Sequence, residues 1–249
     1  MKTIAISLVL ASAFLASLSL HAAGIPETDK SKGVTPMKMV DNIHWFGQAA
    51  VKIAAGETVV YIDPYNLKKS DKAGIILITH SHGDHLSPDD IKKVATDKTV
   101  IIAPPDCDDK LAGIPHAILL KSFPGFSTNI GPVSITAVPA YNIVKPKFHP
   151  KKNNWVGYIV TLDGVKIYHS GDTERIPEMK TFTCDIAMLP LGQTYTMSGP
   201  GEAAAAAKDV KASIAVPIHF GMYEGKESDA ETFKKLLEPA ITVIIKKPE

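Results

Sequence analysis

The chain has 249 residues, of which 45% are hydrophobic and 21% are charged, so it can form one large domain or two small ones with a sizeable core. The formal net charge of +1 excludes the strong basic excess that would by itself support binding to nucleic acid or to an anionic membrane. We therefore expect no nucleic-acid partner, while the oligomeric state stays open.

Residues 1–23 have the pattern of a secretory signal peptide. Lys2 provides a positive start, residues 4–20 are uncharged and largely apolar, and small residues follow at 22–24. An uncleaved membrane anchor is the alternative, but the stretch is short for a span, which takes roughly 20 apolar residues. The sequence predicts a periplasmic or secreted protein, with no stable membrane association after the signal is removed.

The remaining chain predicts a flexible linker followed by one α/β domain. Residues 24–36 are polar without periodicity, and the domain covers 37–249. Strands are expected first as a meander and then in alternation with helices, which favours sheets covered by helices. The predicted strands are 43–46, 50–54, 58–62, 75–79, 100–103, 117–120, 133–138, 155–162, 165–169, 185–190, 214–217 and 242–245. Helices are predicted from Ser87 onward and at 202–208 and 229–237.

The two cysteines, Cys107 and Cys184, lie far apart in the sequence. An exported protein permits a disulfide between them, and two buried free thiols are equally consistent with the pattern.

A histidine cluster follows the apolar run 74–78. Residues 79–85 read THSHGDH. Alternate side chains of an extended segment share a face, so His80 and His82 can point to the same side, and Gly83 lets Asp84 and His85 face a second point. Imidazole and carboxylate ligands suit zinc or a similar divalent ion. The segment predicts a site for two metal ions, against the alternative of a solvated polar turn.

This cluster resembles the His-x-His-x-Asp-His motif of the metallo-β-lactamase fold superfamily. Three further segments are similar to motifs of that family and occur in its order: 61–64 (YIDP), 168–173 (YHSGDT) and 216–220 (VPIHF). The resemblance implies an α/β fold, a four-layer αββα sandwich.

Other segments are similar to one branch of the superfamily. Residues 43–49, 139–142, 188–192 and 195–197 resemble metal-dependent hydrolases of the kind of L-ascorbate-6-phosphate lactonase and N-acyl-phosphatidylethanolamine phospholipase D. The antibiotic-degrading β-lactamases look more distant.

The resemblance also implies the ligands of two divalent ions, zinc first, with Mn²⁺ or Fe²⁺ as alternatives. The first ion would take His80, His82 and His149, the second Asp84, His85 and His219, and Asp172 would bridge them. One position departs from the family, because Tyr141-Asn142 stands where many members have the third ligand of the first ion. His149 is the nearest histidine, and the alternatives are water or Asn142.

The implied activity is hydrolysis of a small ester, lactone or phosphodiester by a hydroxide held between the metals. Asp84 and Asp172 are the expected catalytic carboxylates, with Asp84 able to transfer a proton. The alternatives are a β-lactamase and a non-catalytic metal-binding protein of the same fold. A diiron redox enzyme is disfavoured, because it usually needs a first site richer in carboxylates.

Several residues keep two interpretations. Asp63 either orients a ligand histidine or caps a turn. His169 either approaches the site or packs in the core, and Tyr195 and Met197 either line a pocket or pack. The lysines at 145, 147, 151 and 152 form a solvated loop or face an anionic substrate. For the remaining histidines, His21, His44 and His116, structural, surface or signal roles are expected.

Overall fold

The computed structural model describes residues 34–68 and 70–249. The predicted signal peptide and nearly all of the predicted linker lie outside these residues. The first helix, α1 (Pro36–Asp41), begins at the last predicted linker residue, where Thr35 accepts a hydrogen bond from Lys38 N at 3.3 Å. Within the described ranges, no helix has both the length and the apolar character that crossing a membrane requires.

One sheet is formed by the first half of the domain. Its six strands lie side by side in chain order: β1 (Ile43–Trp45), β2 (Val51–Ala55), β3 (Thr58–Ile62), β4 (Ile75–Leu77), β5 (Val100–Ala103) and β6 (Ile118–Lys121). The first three strands are antiparallel, and the strands from β3 to β6 are parallel. The parallel connections pass through α2 (Pro88–Val94), between β4 and β5, and α3 (Asp108–Leu111), between β5 and β6.

The second half forms the other sheet. Its seven strands are β7 (Ser127–Ile130), β8 (Val133–Pro139), β9 (Val156–Leu162), β10 (Val165–His169), β11 (Ile186–Pro190), β12 (Ile214–Ile218) and β13 (Thr242–Val243). Pairing is antiparallel from β7 to β10 and parallel from β10 to β13. Helices α4 (Pro200–Asp209) and α5 (Glu227–Leu237) lie in the parallel connections and contact β11 and β13.

The sheets pack face to face, with helices outside each of them. Ile75 and Leu77 of β4 share a buried cluster with Tyr158 of the opposite sheet, whereas Ile76 belongs to a second cluster with Ile91 of α2. This alternation follows from the two-residue period of a strand that is covered on both faces. The predicted four-layer αββα sandwich is confirmed.

The predicted strand 75–79 is too long by two residues, and the cause bears on the site. The pairing of β4 with β3 ends at Leu77. Thr79 N then donates to the Asp63 carboxylate at 2.8 Å instead of to a neighbouring strand. The chain therefore leaves the sheet one residue before His80.

Three elements were missed by the sequence analysis. These are α1, α3 and β7, all of six residues or fewer. Strand β7 is an edge strand of sequence STNI with no buried residue, so it lacks the apolar alternation by which strands are recognised.

Cys107 and Cys184 are both buried free thiols, which resolves the open question of a disulfide. Cys107 packs between the six-stranded sheet and its helices, and Cys184 belongs to the cluster between the sheets.

Gly157 on β9 is required by a close approach of the backbone that precedes Asp172. A Cβ atom there would lie 2.7 Å from His169 O and 2.8 Å from Ser170 O. We expect Gly157→Ala to lower the free energy of unfolding by about 1–3 kcal/mol, because the two strands must move apart. Urea unfolding measures this change.

The matched control is Gly201→Ala in α4, where a Cβ atom would meet nothing within 4 Å. Alanine favours a helix over glycine, so this variant should be unchanged or slightly more stable. Equal stabilities of the two variants would show that the approach at Gly157 is not tight.

Candidate metal centre

The centre lies where several strands end at the same edge of the sandwich. The histidine cluster 80–85 follows β4, Asp172 follows β10, and His219 follows β12. These strands run parallel to a neighbour, and residues beyond the carboxyl ends of parallel strands meet at one edge. The topology thereby brings together side chains that are far apart in the sequence.

Two groups of donor atoms within this edge include residues that line a cavity, and a further group joins Asp63 with His80 and His85. One atom each from His80, His82 and Asp172 lie within 4.8 Å of one another, and the same holds for Asp84, His85 and His219. In the first group, His80 Nε2 faces His82 Nδ1 at 3.0 Å.

Asp172 stands between the two groups, with one oxygen toward each. Its Oδ1 lies 3.2 Å from both His85 Nε2 and His219 Nε2, and its Oδ2 lies 3.9 Å from His80 Nε2. The residue is only 5% exposed. A carboxylate in this position can offer one oxygen to each of two cations.

His149 is carried to the centre by the loop after β8. Its ring is 1% exposed and lies 4.7 Å from the ring of His80 and 6.4 Å from that of His82. Asn142, the alternative ligand, is engaged elsewhere: its Nδ2 donates to Tyr195 O at 2.7 Å and its Oδ1 accepts from Glu174 N at 2.9 Å. Of the two residues, His149 is therefore the one available to a cation.

Glu174 shapes the loop that carries His149. Its buried carboxylate accepts hydrogen bonds from the backbone N–H groups of Ile143 and Val144, both at 2.6 Å, and of Lys145 at 3.1 Å. This fixes the start of the loop over the Gly-Asp-Thr segment, since Glu174 directly follows that segment.

The donor atoms fit a cation because several are buried without a protein partner. Both ring nitrogens of His149 have no hydrogen-bond partner among the described residues, and neither do His219 Nδ1, His85 Nε2 and Asp172 Oδ1, although the last two atoms lie 3.2 Å apart. Unpaired buried polar atoms are costly and rare, and their convergence fits a ligand that accepts lone pairs. Imidazole with carboxylate is the donor set of zinc and similar divalent ions.

The centre forms the floor of a cavity of about 520 Å³. Tyr195 lines the cavity, as one interpretation of the sequence expected, whereas Met197 is fully buried and does not. None of the four lysines lines it: Lys145 donates to the Gln193 carbonyl at 3.1 Å, and Lys151 pairs with Glu178 at 3.0 Å. The expectation that they face an anionic substrate is not supported by this geometry.

Comparison with known proteins agrees with this architecture. The family model described as "Beta-lactamase superfamily domain" matches residues 42–219. A UPF0173 metal-dependent hydrolase of Thermococcus onnurineus is 33% identical and covers 83% of this chain and 96% of its own; one of Thermococcus kodakarensis is 34% identical with the same coverage. The chain belongs to the metal-dependent hydrolases of the beta-lactamase superfamily.

Solved structures resemble this hydrolase over most of its length. A proposed metal-dependent hydrolase from Parabacteroides distasonis superimposes with a TM-score of 0.74 at 35% identity, covering 83% of this chain and 93% of its own. Igni18, a metallo hydrolase from Ignicoccus hospitalis, superimposes with a TM-score of 0.68 at 22% identity, covering 83% and 94%, which shows a shared fold.

Asp63 orients His85 in this hydrolase, which supports the first of its two interpretations. Asp63 Oδ2 lies 2.7 Å from His85 Nδ1 and accepts from Thr79 Oγ1 at 2.6 Å, while Oδ1 accepts from Thr79 N. A proton held on His85 Nδ1 leaves Nε2 free to bind a cation. Because both of its oxygens are hydrogen-bonded in this way, Asp63 positions His85 and is not itself available to a cation.

Two residues of the centre were missed by the sequence analysis. Gln48 Nε2 lies 2.8 Å from Asp84 Oδ2 and 2.7 Å from His219 Nε2, and Glu224 Oε1 lies 3.3 Å from His219 Nδ1. Gln48 follows Gly47 in a turn and has a positive φ of 46°. The sequence suggests a turn there but does not indicate that the side chain reaches the centre. Glu224 lies in a loop with no motif.

Glu224 also anchors a second loop of the hydrolase. Its Oε2 accepts from the backbone N–H groups of Gln193 at 3.0 Å, Thr194 at 2.7 Å and Tyr195 at 3.2 Å. The carboxylate fits only because residue 192 is glycine, since a Cβ atom there would lie 1.7 Å from Glu224 Oε1.

We expect Glu224→Gln to weaken metal binding by about 10–100-fold, because the charge that orients His219 is lost. Competition with a chromogenic chelator measures the affinity. Glu231→Gln, the same change at an exposed position of α5, is the control and should leave it unchanged. Equal affinities of both variants would remove Glu224 from this role.

The electrostatics divide the histidines of the metal-free hydrolase into two kinds. Burial lowers the pKa of His149 to about 3 and that of His80 well below its usual value, the latter with the help of His85 and His149. Burial also opposes charge on His219 and His85, but the Asp172 carboxylate outweighs it, raising the pKa of His219 to about 9 and that of His85 well above its usual range.

Metal binding should therefore release protons near neutral pH. His85 and His219 carry protons below their raised pKa values, and only neutral imidazole binds a metal. We expect at least one proton to be released at pH 7, and metal affinity to rise with pH up to about 9. Calorimetry in two buffers of different ionisation enthalpy counts the protons, and an equal heat in both buffers would contradict the assignment.

The remaining histidines have structural roles or lie elsewhere. His169 is fully buried, its Nε2 lies 2.8 Å from Ala49 O, and its Nδ1 accepts from Gly171 N at 3.2 Å. His44 pairs with Glu249, and His116 Nδ1 contacts Ile114 O. His21 lies outside the described residues.

Proposed function

We propose that this hydrolase uses two divalent ions, zinc first, to cleave a small ester, lactone or phosphodiester. The observation that carries the proposal is the convergence of seven histidine and aspartate side chains, five of which line the cavity, with both ring nitrogens of the buried His149 unpaired among the described residues. A merely structural cluster would pair these atoms with hydrogen-bond donors.

The proposed ligands are the two groups of donor atoms together with His149, whose ring lies 4.7 Å from that of His80. His80, His82 and His149 would hold the first ion, Asp84, His85 and His219 would hold the second, and Asp172 would offer one oxygen to each. When bound, two such ions lower the pKa of a shared water toward roughly 7 and polarise the oxygen that gains charge.

The protein's own residues then orient the reaction. Asp84 lines the cavity and its side chain is 27% exposed, so it can exchange a proton with a substrate. Gln48 Nε2, 2.8 Å from Asp84 Oδ2, fixes the position of that carboxylate. Asp63 Oδ2, 2.7 Å from His85 Nδ1, holds a proton on that outer nitrogen, and the charge of Glu224 Oε1, 3.3 Å from His219 Nδ1, favours a proton there, so the Nε2 atom of each ring faces Asp172.

The test is metal analysis of the purified protein together with a panel of chromogenic lactones, esters, phosphodiesters and β-lactams. We expect metal in the protein and turnover of at least one of the first three classes. Turnover of β-lactams alone would favour a β-lactamase. Metal-loaded protein that is inert toward every class would favour a non-catalytic metal-binding protein.

We also propose that the protein is exported, acts on its substrate without a nucleic-acid partner, and does not stay associated with a membrane. The support is the signal-like pattern of residues 1–23 and the balanced charge. N-terminal sequencing of the protein from a periplasmic or culture fraction tests this, and an intact N-terminus in a membrane fraction would contradict it.

A further inference from the structure

The wall of the cavity differs in chemistry from its floor. Four aromatic side chains line it: Tyr65, Phe148, Tyr195 and Tyr223. They come from four separate parts of the chain, namely the β3–β4 connection, the loop that carries His149, the loop after β11 and the loop after β12. We call these four residues the aromatic wall.

The aromatic wall is held in place by contacts of its own. Phe148 and Tyr195 meet edge to face with ring centroids 4.9 Å apart, and the hydroxyls of Tyr65 and Tyr223 are hydrogen-bonded to each other. Asn142 and Glu224 bind the backbone of Tyr195, through its carbonyl oxygen and its N–H group respectively. The wall is therefore formed before a substrate arrives, which lowers the cost of ordering side chains on binding.

The described lining residues include no lysine or arginine, and the charged groups among them are the centre's own aspartates and histidines. Two lysines close to Phe148 in the sequence interact with other groups of the protein. Lys145 donates to the carbonyls of Gln193 and Thr196, and Lys147 lies over the ring of Phe148 at 4.6 Å from its centroid. An anionic group placed against the wall would lose its hydration and would find no lysine or arginine among the described lining residues to pair with.

We propose that the part of the substrate away from the reacting bond is uncharged and aromatic, and that it packs against the aromatic wall. This inference rests on the proposed function and narrows it to neutral esters and lactones that carry an aryl group. Ring pairs of this kind add affinity beyond the area they bury, and the cavity has the volume of a site for a small organic molecule.

Three esters with a common 4-nitrophenol leaving group test the proposal on the metal-loaded protein: the butanoate, the 4-phenylbutanoate and the 4-(4-sulfophenyl)butanoate. After correction for their rates with hydroxide alone, we expect kcat/KM of the 4-phenylbutanoate to exceed that of the butanoate by about tenfold. The sulfonated ester should fall below the 4-phenylbutanoate by at least the same factor. Equal values, or a preference for the sulfonated ester, would overturn the proposal.

Variants of the aromatic wall test whether these residues cause the preference for the 4-phenylbutanoate over the butanoate. In Phe148→Ala and Tyr195→Ala, the ratio of 4-phenylbutanoate to butanoate should fall to within about threefold. Tyr195 is 43% exposed, so its removal is tolerated if Phe148→Ala fails to fold. The control is Phe123→Ala, an exposed phenylalanine that does not line the cavity, and it should keep the full ratio. An unchanged ratio in both wall variants would place the preference elsewhere.

Binding without turnover separates this inference from the proposed function. Calorimetry with 4-phenylbutanamide and butanamide should show tighter binding of the phenyl compound, and Tyr195→Ala should remove the difference. If the protein hydrolyses none of the panel but keeps this difference, the proposed function is wrong and the aromatic site stands. If it hydrolyses esters but binds both amides equally, the proposed function stands and the aromatic site is wrong.

Discussion

Asp172→Asn is expected to lower turnover by at least roughly a thousandfold, which corresponds to about 4 kcal/mol of lost transition-state stabilisation. Asp172 lies between the two groups of donors, 3.2 Å from the Nε2 atoms of His85 and His219. An amide keeps its shape but not its charge, so the mutual repulsion of two cations is no longer offset. Metal content should fall with activity, which elemental analysis of the purified variant measures.

The fold should survive this change, because the site lies at the edge of the sandwich and not between its sheets. Asp163→Asn is the matched control: it makes the same chemical change at an exposed hairpin residue whose φ of 51° asparagine tolerates. It should leave metal content and turnover unchanged. Wild-type turnover in Asp172→Asn would refute the bridging assignment.

His149→Ala tests the one position where the sequence departs from the family pattern. We expect metal affinity at one site, and turnover with it, to fall by at least about a hundredfold, since loss of a group that only orients a ligand already costs 10–100-fold. The ring is 1% exposed, and burial keeps it neutral by lowering its pKa to about 3, so it is ready to bind a cation. Titration with Zn²⁺ against a competing chelator resolves the affinities.

His116→Ala is the control for this variant, since His116 is half-buried and contacts only a backbone carbonyl in its own loop. If His149→Ala retained full metal affinity and turnover, water would be the third ligand of the first ion. In each variant the affinities of the two proposed metal sites are measured, and their ratio is compared. A general loss of stability would lower both affinities and would not change this ratio.

Strands and helices could be predicted from the sequence where their burial requires apolar residues in a run or at regular spacing. The strands 58–62, 100–103 and 165–169 have the bounds that their apolar runs predict. The end of β4 could not be predicted, because it is decided by a hydrogen bond from Thr79 N to a carboxylate 16 residues earlier. Local pattern carries no information about such a distant partner.

The same distinction holds for the centre. The six-residue cluster 80–85 and the strand ends before Asp172 and His219 are local signals, and the structure brings these residues together. Gln48 lies in the segment 43–49 that resembles one branch of the family, but nothing local assigns it to the centre, and Glu224 lies in a loop with no motif. Gln48 reaches the centre through the turn between β1 and β2, where its carbonyl accepts from His219 N at 2.8 Å, and Glu224 reaches it through the turn after His219.

One carboxylate joins the floor of the cavity to its wall. Glu224 Oε1 lies beside His219, while Oε2 receives the amide hydrogens of residues 193–195. Binding that orders His219 therefore also orders residues 193–195 through Glu224. The coupling free energy between the two sites is the same in both directions. Binding of a molecule against Tyr195 should therefore raise the affinity of His219 for a cation by the same factor by which the cation raises the affinity for that molecule.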